Sequence, residues 1–138
     1  MKKILVILGG GRLRGNTRQL VDAFARGATD AGHEVEIVPL NKVQVNGCLG
    51  CNACRYGKPC IQKDGFNELA PKIKAADCVV FALPLLFWTI SSKLKAFVER
   101  FYCIAEEDPN PPLGRYEKYP VKDSALLIDI GGQFLLDL

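Results

Sequence analysis

The chain has one histidine, one methionine and one tryptophan among its 138 residues. His33, the single histidine, falls at a helix–strand turn with no triad partners in an interpretable pattern, so nucleophile–base hydrolysis has no support. No carboxylate pair suggests hydrolysis either, and Asp77 and Asp123 read as turn residues that open strands. No apolar run approaches the length of a membrane span. The opening M-K-K-I-L-V-I-L resembles a signal peptide only superficially, because its short apolar run stops at Gly9 and a glycine-rich loop stands where a cleavage site belongs. Charge of one sign is scarce as well. Eighteen Lys and Arg against fifteen Asp and Glu leave a net charge of +3. That mild excess favours a phosphorylated ligand, while the lack of a basic tract or aromatic-interleaved patch argues against nucleic acid. A cytoplasmic location follows, with no membrane partner.

What the chain does have is cysteine in an unusual arrangement. Four of its six cysteines, Cys48, Cys51, Cys54 and Cys60, fall in the run C-L-G-C-N-A-C-R-Y-G-K-P-C. Two-residue gaps return three thiolates to a common point, and the fourth arrives after five intervening residues. Four thiolates on one centre suit an iron–sulfur cluster, or zinc bound through four sulfurs. Disulfides explain the spacing less well, since neighbours this close bridge only with particular backbone geometry. A reducing compartment also favours ligand or redox cysteines over structural bridges. Cys78, on a strand, reads as a small buried hydrophobe, and Cys103, near a helix end, as packing.

An apolar content of 49% with 24% charged residues is globular, and the length suits a single domain over residues 1–138. Residues 4–8 form a continuous aliphatic run, as expected of a parallel strand covered on both faces. Thr17, Leu20, Phe24 and Ala28 recur at helical spacing, with Gly32 closing that helix. Residues 34–40 read as a second strand, and 41–63 as a long connection holding the cysteines. A helix over about 65–76 follows, with Asp64 as N-cap and Pro71 expected to kink or split it. Residues 77–83 form a third strand. Ile90, Leu94, Phe97, Val98 and Phe101 mark a third helix. Residues 105–122, acidic and rich in proline, read as a surface loop, and 124–130 as a fourth strand. This alternation specifies an α/β fold with an open, doubly wound parallel sheet in three α/β/α layers.

Ligands of such sheets bind beyond the carboxyl ends of the strands. The first loop there is G-G-G-R-L-R-G-N-T over 9–17. Its glycines allow close backbone approach, Asn16 and Thr17 supply donors, and the helix N-terminus favours an anion. Arg12 or Arg14 adds a charge-assisted bond to phosphate. The alternative is an ordinary glycine-rich turn; neither a Walker loop nor a G-x-G-x-x-G fingerprint is present. The second loop holds Pro84, Leu85, Leu86, Phe87 and Trp88, which suit a flat ring or, alternatively, core between strand and helix. The third, with Gly131 and Gly132, brings backbone toward the far edge of the same ring.

With these motifs in order, the chain resembles the flavodoxin-like NADPH-dependent FMN reductases, and within them the iron–sulfur flavoproteins. Their first loop commonly reads G-S-P-R-x-x-G-N-T, against G-G-G-R-L-R-G-N-T here. The cysteine run matches the compact ligand motif of the iron–sulfur branch. Residues 84–100, P-L-L-F-W-T-I-S-S-K-L-K-A-F-V-E-R, parallel P-V-Y-W-G-S-x-S-A-Q-L-K-A-F-I-D-R, with Leu86 for the usual tyrosine and Trp88 for the usual glycine.

The resemblance implies FMN, its phosphate on Gly10, Gly11, Arg12, Gly15, Asn16 and Thr17. It places the ring near Pro84, Leu85, Leu86, Phe87, Trp88, Gly131 and Gly132. It further implies a 4Fe–4S cluster on Cys48, Cys51, Cys54 and Cys60 as one-electron partner, at the flavin's end of the sheet. NAD(P)H is the implied co-substrate, with a small molecule or protein as electron donor or acceptor. The flavin carries the chemistry, so no catalytic side chain is expected. Homo-oligomers, dimers or tetramers, are also implied. The alternatives are a non-catalytic electron-transfer protein and a truncated domain without cofactor. The expected strand order is 2-1-3-4. A fifth strand is missing, so the domain is C-terminally incomplete or a partner covers strand four.

Overall fold

Two aliphatic runs meet at the centre of the sheet. β1 (Lys3–Leu8) and β3 (Cys78–Pro84) pair in parallel, with Ile4 opposite Cys78 and Leu8 opposite Ala82. β2 (Glu34–Pro39) lies on the other side of β1, and β4 (Asp123–Asp129) on the outer side of β3. All three pairings are parallel, so the order is the expected 2-1-3-4. The structure is a computed structural model that describes residues 1–55, 58–104, 106–107, 117–118 and 123–130.

Alternation along the strands divides the core between two faces. Ile4, Val6 and Leu8 with Val80 and Ala82 meet Val21, Phe24 and Ala28 of α1 (Asn16–Asp30). Leu5, Ile7, Val79 and Leu83 point the other way. They pack with Phe66, Leu69 and Ile73 of α2 (Phe66–Ala75) and Leu94 and Phe97 of α3 (Ser92–Glu99). Each such side chain contributes about 1.5–3 kcal/mol on full burial, which explains why a run from Ile4 to Leu8 carries no polar residue. Phe97 touches Phe66 and Phe101 at ring-centroid distances of 5.3 and 5.5 Å, which anchors α3 to α2.

α1 ends in a Schellman arrangement. Gly32 takes φ +83°, its N–H donates to Thr29 at 2.9 Å, and the His33 N–H donates to Ala28 at 3.0 Å. His33 itself accepts from the Lys2 backbone through Nδ1 at 3.3 Å, a structural contact at the edge opposite the loops.

Four sequence expectations need correction. Pro71 neither splits nor ends α2, which runs unbroken from Phe66 to Ala75. The N–H it lacks would serve the Asn67 carbonyl, and Asn67 lies on the exposed side, while Phe66, Leu69 and Ile73 hold the buried face. Ile90 precedes α3 rather than beginning it, because Ser91 caps the helix and accepts from the Leu94 N–H at 3.3 Å. α3 continues as a 3-10 turn, Arg100–Cys103. The stretch 105–122 is not wholly loop, since residues 106–107 and 117–118 pair antiparallel; its remainder lies outside the described residues. Cys78 is half-buried rather than buried.

Candidate functional site

The C-terminal ends of β1 and β3 bring the first two loops into contact. The Gly9 N–H donates to the Ala82 carbonyl at 2.7 Å, extending the β1–β3 pairing into the loop. Ser91 Oγ donates to the Gly9 carbonyl at 2.7 Å. A side chain at Gly9 would stand 3.0 Å from both Leu94 Cβ and Ser91 Oγ, so glycine is required for close approach. One residue on, a Cβ at Gly10 would touch the Pro84 ring at 3.4 Å, which measures how tightly the two loops adjoin. Gly11 faces open space, and Arg12 and Arg14 are exposed.

α1 begins beneath this loop with its N-terminus bare. Gly15, the N-cap, offers no side-chain acceptor, and no acidic residue occupies the first turn. The leading N–H groups and the positive end of the helix dipole are thus left for an external anion. Asn16 is exposed there, whereas Thr17 is only 6% exposed and packs under Gly10. Asn41, which follows β2 and was not foreseen as a site residue, donates to the Gly11 carbonyl at 3.4 Å. Its buried Oδ1 has no partner.

The second loop is a two-residue hairpin turn. Leu86 and Thr89 exchange both backbone hydrogen bonds at 3.2 Å. Phe87 and Trp88 between them both take the left-handed conformation, at φ 47° and 64°. Such turns normally require Asn-Gly, because a bulky side chain there is strained. Phe87 is 95% and Trp88 63% exposed. Core filling therefore does not account for these two residues; Pro84 and Leu85 are the half-buried members of the loop. The Leu85 N–H donates to Asp129 at 2.8 Å, which brings the end of β4 alongside. Gly131 and Gly132 lie outside the described residues.

The four clustered cysteines line one small cavity of about 20 Å³, together with Gln62, Arg100, Tyr102 and Cys103. All six cysteines are thiols rather than disulfides. Cys48 and Cys51 are exposed, Cys54 and Cys60 partly buried. Among the described residues no three Cys, His, Asp or Glu side chains gather closely enough for a single metal ion. A 4Fe–4S cluster makes a different demand, since each thiolate binds its own iron and the sulfurs stand around the cluster rather than on one point. Four cysteines lining one small cavity supply that number and kind of donors. Cys103, expected as plain packing, lies against the same cavity. Burial first, then neighbouring Cys60, pushes its pKa up to about 11, so it stays a neutral thiol.

The base of the cysteine loop is closed by a buried ion pair that sequence reasoning missed. Arg100 Nη1 donates to Asp64 Oδ2 at 2.6 Å and to the Asn46 carbonyl at 3.0 Å. The two side chains are 0% and 6% exposed. Asp64 also accepts from the Asn46 and Phe66 N–H groups and so ties both loop ends together; the N-cap of α2 is Gly65 rather than the expected Asp64. Burial alone would raise the Asp64 pKa, but the bonds from Arg100 and Asn46 outweigh it and hold the carboxyl below its ordinary range. The Cys48 N–H donates to Glu99 at 3.1 Å. The cavity therefore sits at the C-terminal end of α3, whereas Ser91 at the other end touches the glycine loop. Eight residues of helix lie between, a rise of roughly 13 Å over the nine steps from Ser91 to Arg100.

Among the described residues, no helix is long and apolar enough to cross a membrane. Iron–sulfur flavoproteins are among the chain's relatives. One from Archaeoglobus fulgidus is 32% identical over 98 residues, covering 71% of this chain and 44% of the relative. One from Methanocaldococcus jannaschii is 33% identical over 98 residues, covering 71% and 51%. The chain thus spans about half the length of these curated relatives. The fold is similar to that of the NAD(P)H:quinone oxidoreductase from Methanothermobacter marburgensis, with TM-score 0.75 at 17% identity, covering 99% of this chain and 69% of that one. The sheet order, the bare helix terminus beneath a glycine loop and the match of residues 2–116 to the NADPH-dependent FMN reductase profile agree, and the chain belongs to that family.

Proposed function

We propose that this chain is the flavin-binding part of an FMN-dependent oxidoreductase that draws electrons from NAD(P)H or an electron carrier. In this reading Cys48, Cys51, Cys54 and Cys60 hold a 4Fe–4S cluster, and the protein works as a homo-oligomer in the cytoplasm. The observation that carries the proposal is the contact between two loops of complementary chemistry: an uncapped helix N-terminus beside an exposed aromatic turn.

The backbone donors of residues 10–17 bind the FMN phosphate, with Arg12 or Arg14 adding charge. Asn16 lies within that first turn, and Thr17, packed under Gly10, holds the loop in shape. Pro84 to Trp88 supply the apolar surface on which the ring rests and exclude water from one of its sides. When bound, FMN supplies hydride and single-electron chemistry, and the cluster supplies one-electron exchange. The four thiolates bind iron, and the Asp64–Arg100 pair keeps their loop closed.

Anaerobically purified protein should show flavin and iron–sulfur absorption together. FMN titration should show weaker binding when Asn16→Ala and Thr17→Ala are combined, and Cys51→Ala should lose iron and sulfide after reconstitution. NAD(P)H turnover with an acceptor separates an enzyme from a passive carrier. Equal FMN affinities would remove the flavin site, and absence of iron uptake by the wild type would remove the cluster.

A further inference from the structure

Arg100 has more hydrogen-bonding capacity than its clamp uses. Its side chain is 0% exposed, and only Nη1 has partners. Nε and Nη2 are buried with no hydrogen-bond partner. Unmet buried donors on a cation are rare enough to require a reason. The same guanidinium lines the cavity that the four cysteines share. Around it stand Asp64 on the Nη1 side, the Phe66 ring 5.0 Å below, and Cys60 and Cys103. Apart from the Asp64 carboxylate, no ionised side chain balances it in the contacts described. An arginine guanidinium stays protonated in proteins, so the charge is present at this position.

We infer that Arg100 is the fixed counter-cation of the four-cysteine site, directing its two unpartnered N–H groups at the sulfur of whatever the cysteines hold and raising its reduction potential. The inference rests on the cluster reading given above. One-electron reduction adds one negative charge to a cluster, the electron coming from an external reductant such as dithionite. A buried cation and N–H donors to sulfur stabilise that more negative form. Asp64 works against this, because its carboxylate neutralises part of the field.

A merely structural clamp and an electrostatic partner predict different signs. Wild type, Arg100→Met, Arg100→Lys and Asp64→Asn are reconstituted anaerobically with iron and sulfide, assayed for both, and titrated potentiometrically by electron paramagnetic resonance. Arg100→Met should lower the reduced-to-oxidised ratio at a given potential about tenfold, equivalent to about 59 mV for one electron. Arg100→Lys should recover part of the loss, and Asp64→Asn should move the ratio the opposite way. Should Arg100→Met fail to fold, the double variant Asp64→Asn/Arg100→Met leaves no unpaired buried charge and should sit below Asp64→Asn alone. Unchanged potentials, or shifts of one sign for the Arg100 and Asp64 variants, overturn the inference while leaving the cluster reading intact. No iron uptake by the wild type overturns both.

Discussion

Ser91 Oγ donates to the Gly9 carbonyl at 2.7 Å across 82 residues of sequence, and the same oxygen accepts from the Leu94 N–H. One hydroxyl therefore caps α3 and fixes the start of the glycine loop. Ser91→Ala should cost about 1–3 kcal/mol, from a lost cap and an unsatisfied buried carbonyl. Urea denaturation measures this, and FMN titration should show a parallel loss of affinity. Ser91→Thr should recover most of both.

Gly47 and Gly65 flank the cysteines and should respond differently to alanine. A Cβ at Gly65 would overlap the Val43 side chain and lie 3.1 Å from the Gln44 backbone carbonyl. Gly65→Ala should cost about 1–3 kcal/mol as an overpacked position. A Cβ at Gly47 meets only Glu99 Oε2, at 2.8 Å, the mobile end of a side chain. Gly47→Ala should barely move the urea midpoint. Equal losses in the two variants would contradict this account.

The Asp64–Arg100 pair should write itself into the pH dependence of stability. Asp64 titrates lower folded than unfolded, where a carboxylate sits near 3.9. Its contribution is then full above the unfolded value and disappears as pH falls through the folded one. Asp64→Asn should cost about 3–5 kcal/mol at neutral pH, as for one partner of a buried pair. The gap between wild type and variant should stay level above about pH 5 and shrink below about pH 4. Guanidinium-free urea melts across pH 3–7 test it; a gap that widens toward acid would reverse the sign.

Phe87 occupies a left-handed position with its side chain almost wholly in solvent. Phe87→Asn should relieve about 0.5–1 kcal/mol of backbone strain, since asparagine tolerates that conformation. The thermal midpoint should rise while FMN affinity falls. A drop in both would mean that Phe87 packs rather than binds.

The aliphatic runs in β1 and β3 were readable because a strand covered on both faces admits no polar residue, and strand order followed from alternation with helices. The glycine loop was readable for the same local reason. Asp64–Arg100 was not, because 36 residues separate two ordinary charges and nothing local signals that folding buries both. The left-handed Phe87–Trp88 turn was hidden because its sequence contains neither Asn nor Gly. Pro71 misled because propensity weighs a missing N–H without knowing that Asn67, whose carbonyl it would serve, lies on the exposed side. That Cys48 would meet Glu99 was equally hidden, since 51 residues separate them.

α3 acts as a ruler. Its N-cap residue grips one loop and the turn that follows it grips the other, so their separation is set by helical rise rather than by either loop's own sequence. Loop composition can drift without changing that spacing. A single residue added within α3 cannot be absorbed so easily, because it rotates everything beyond it by about 100° and carries Arg100 away from Asp64. The spacing of the two loops is therefore built into the count of residues between Ser91 and Arg100.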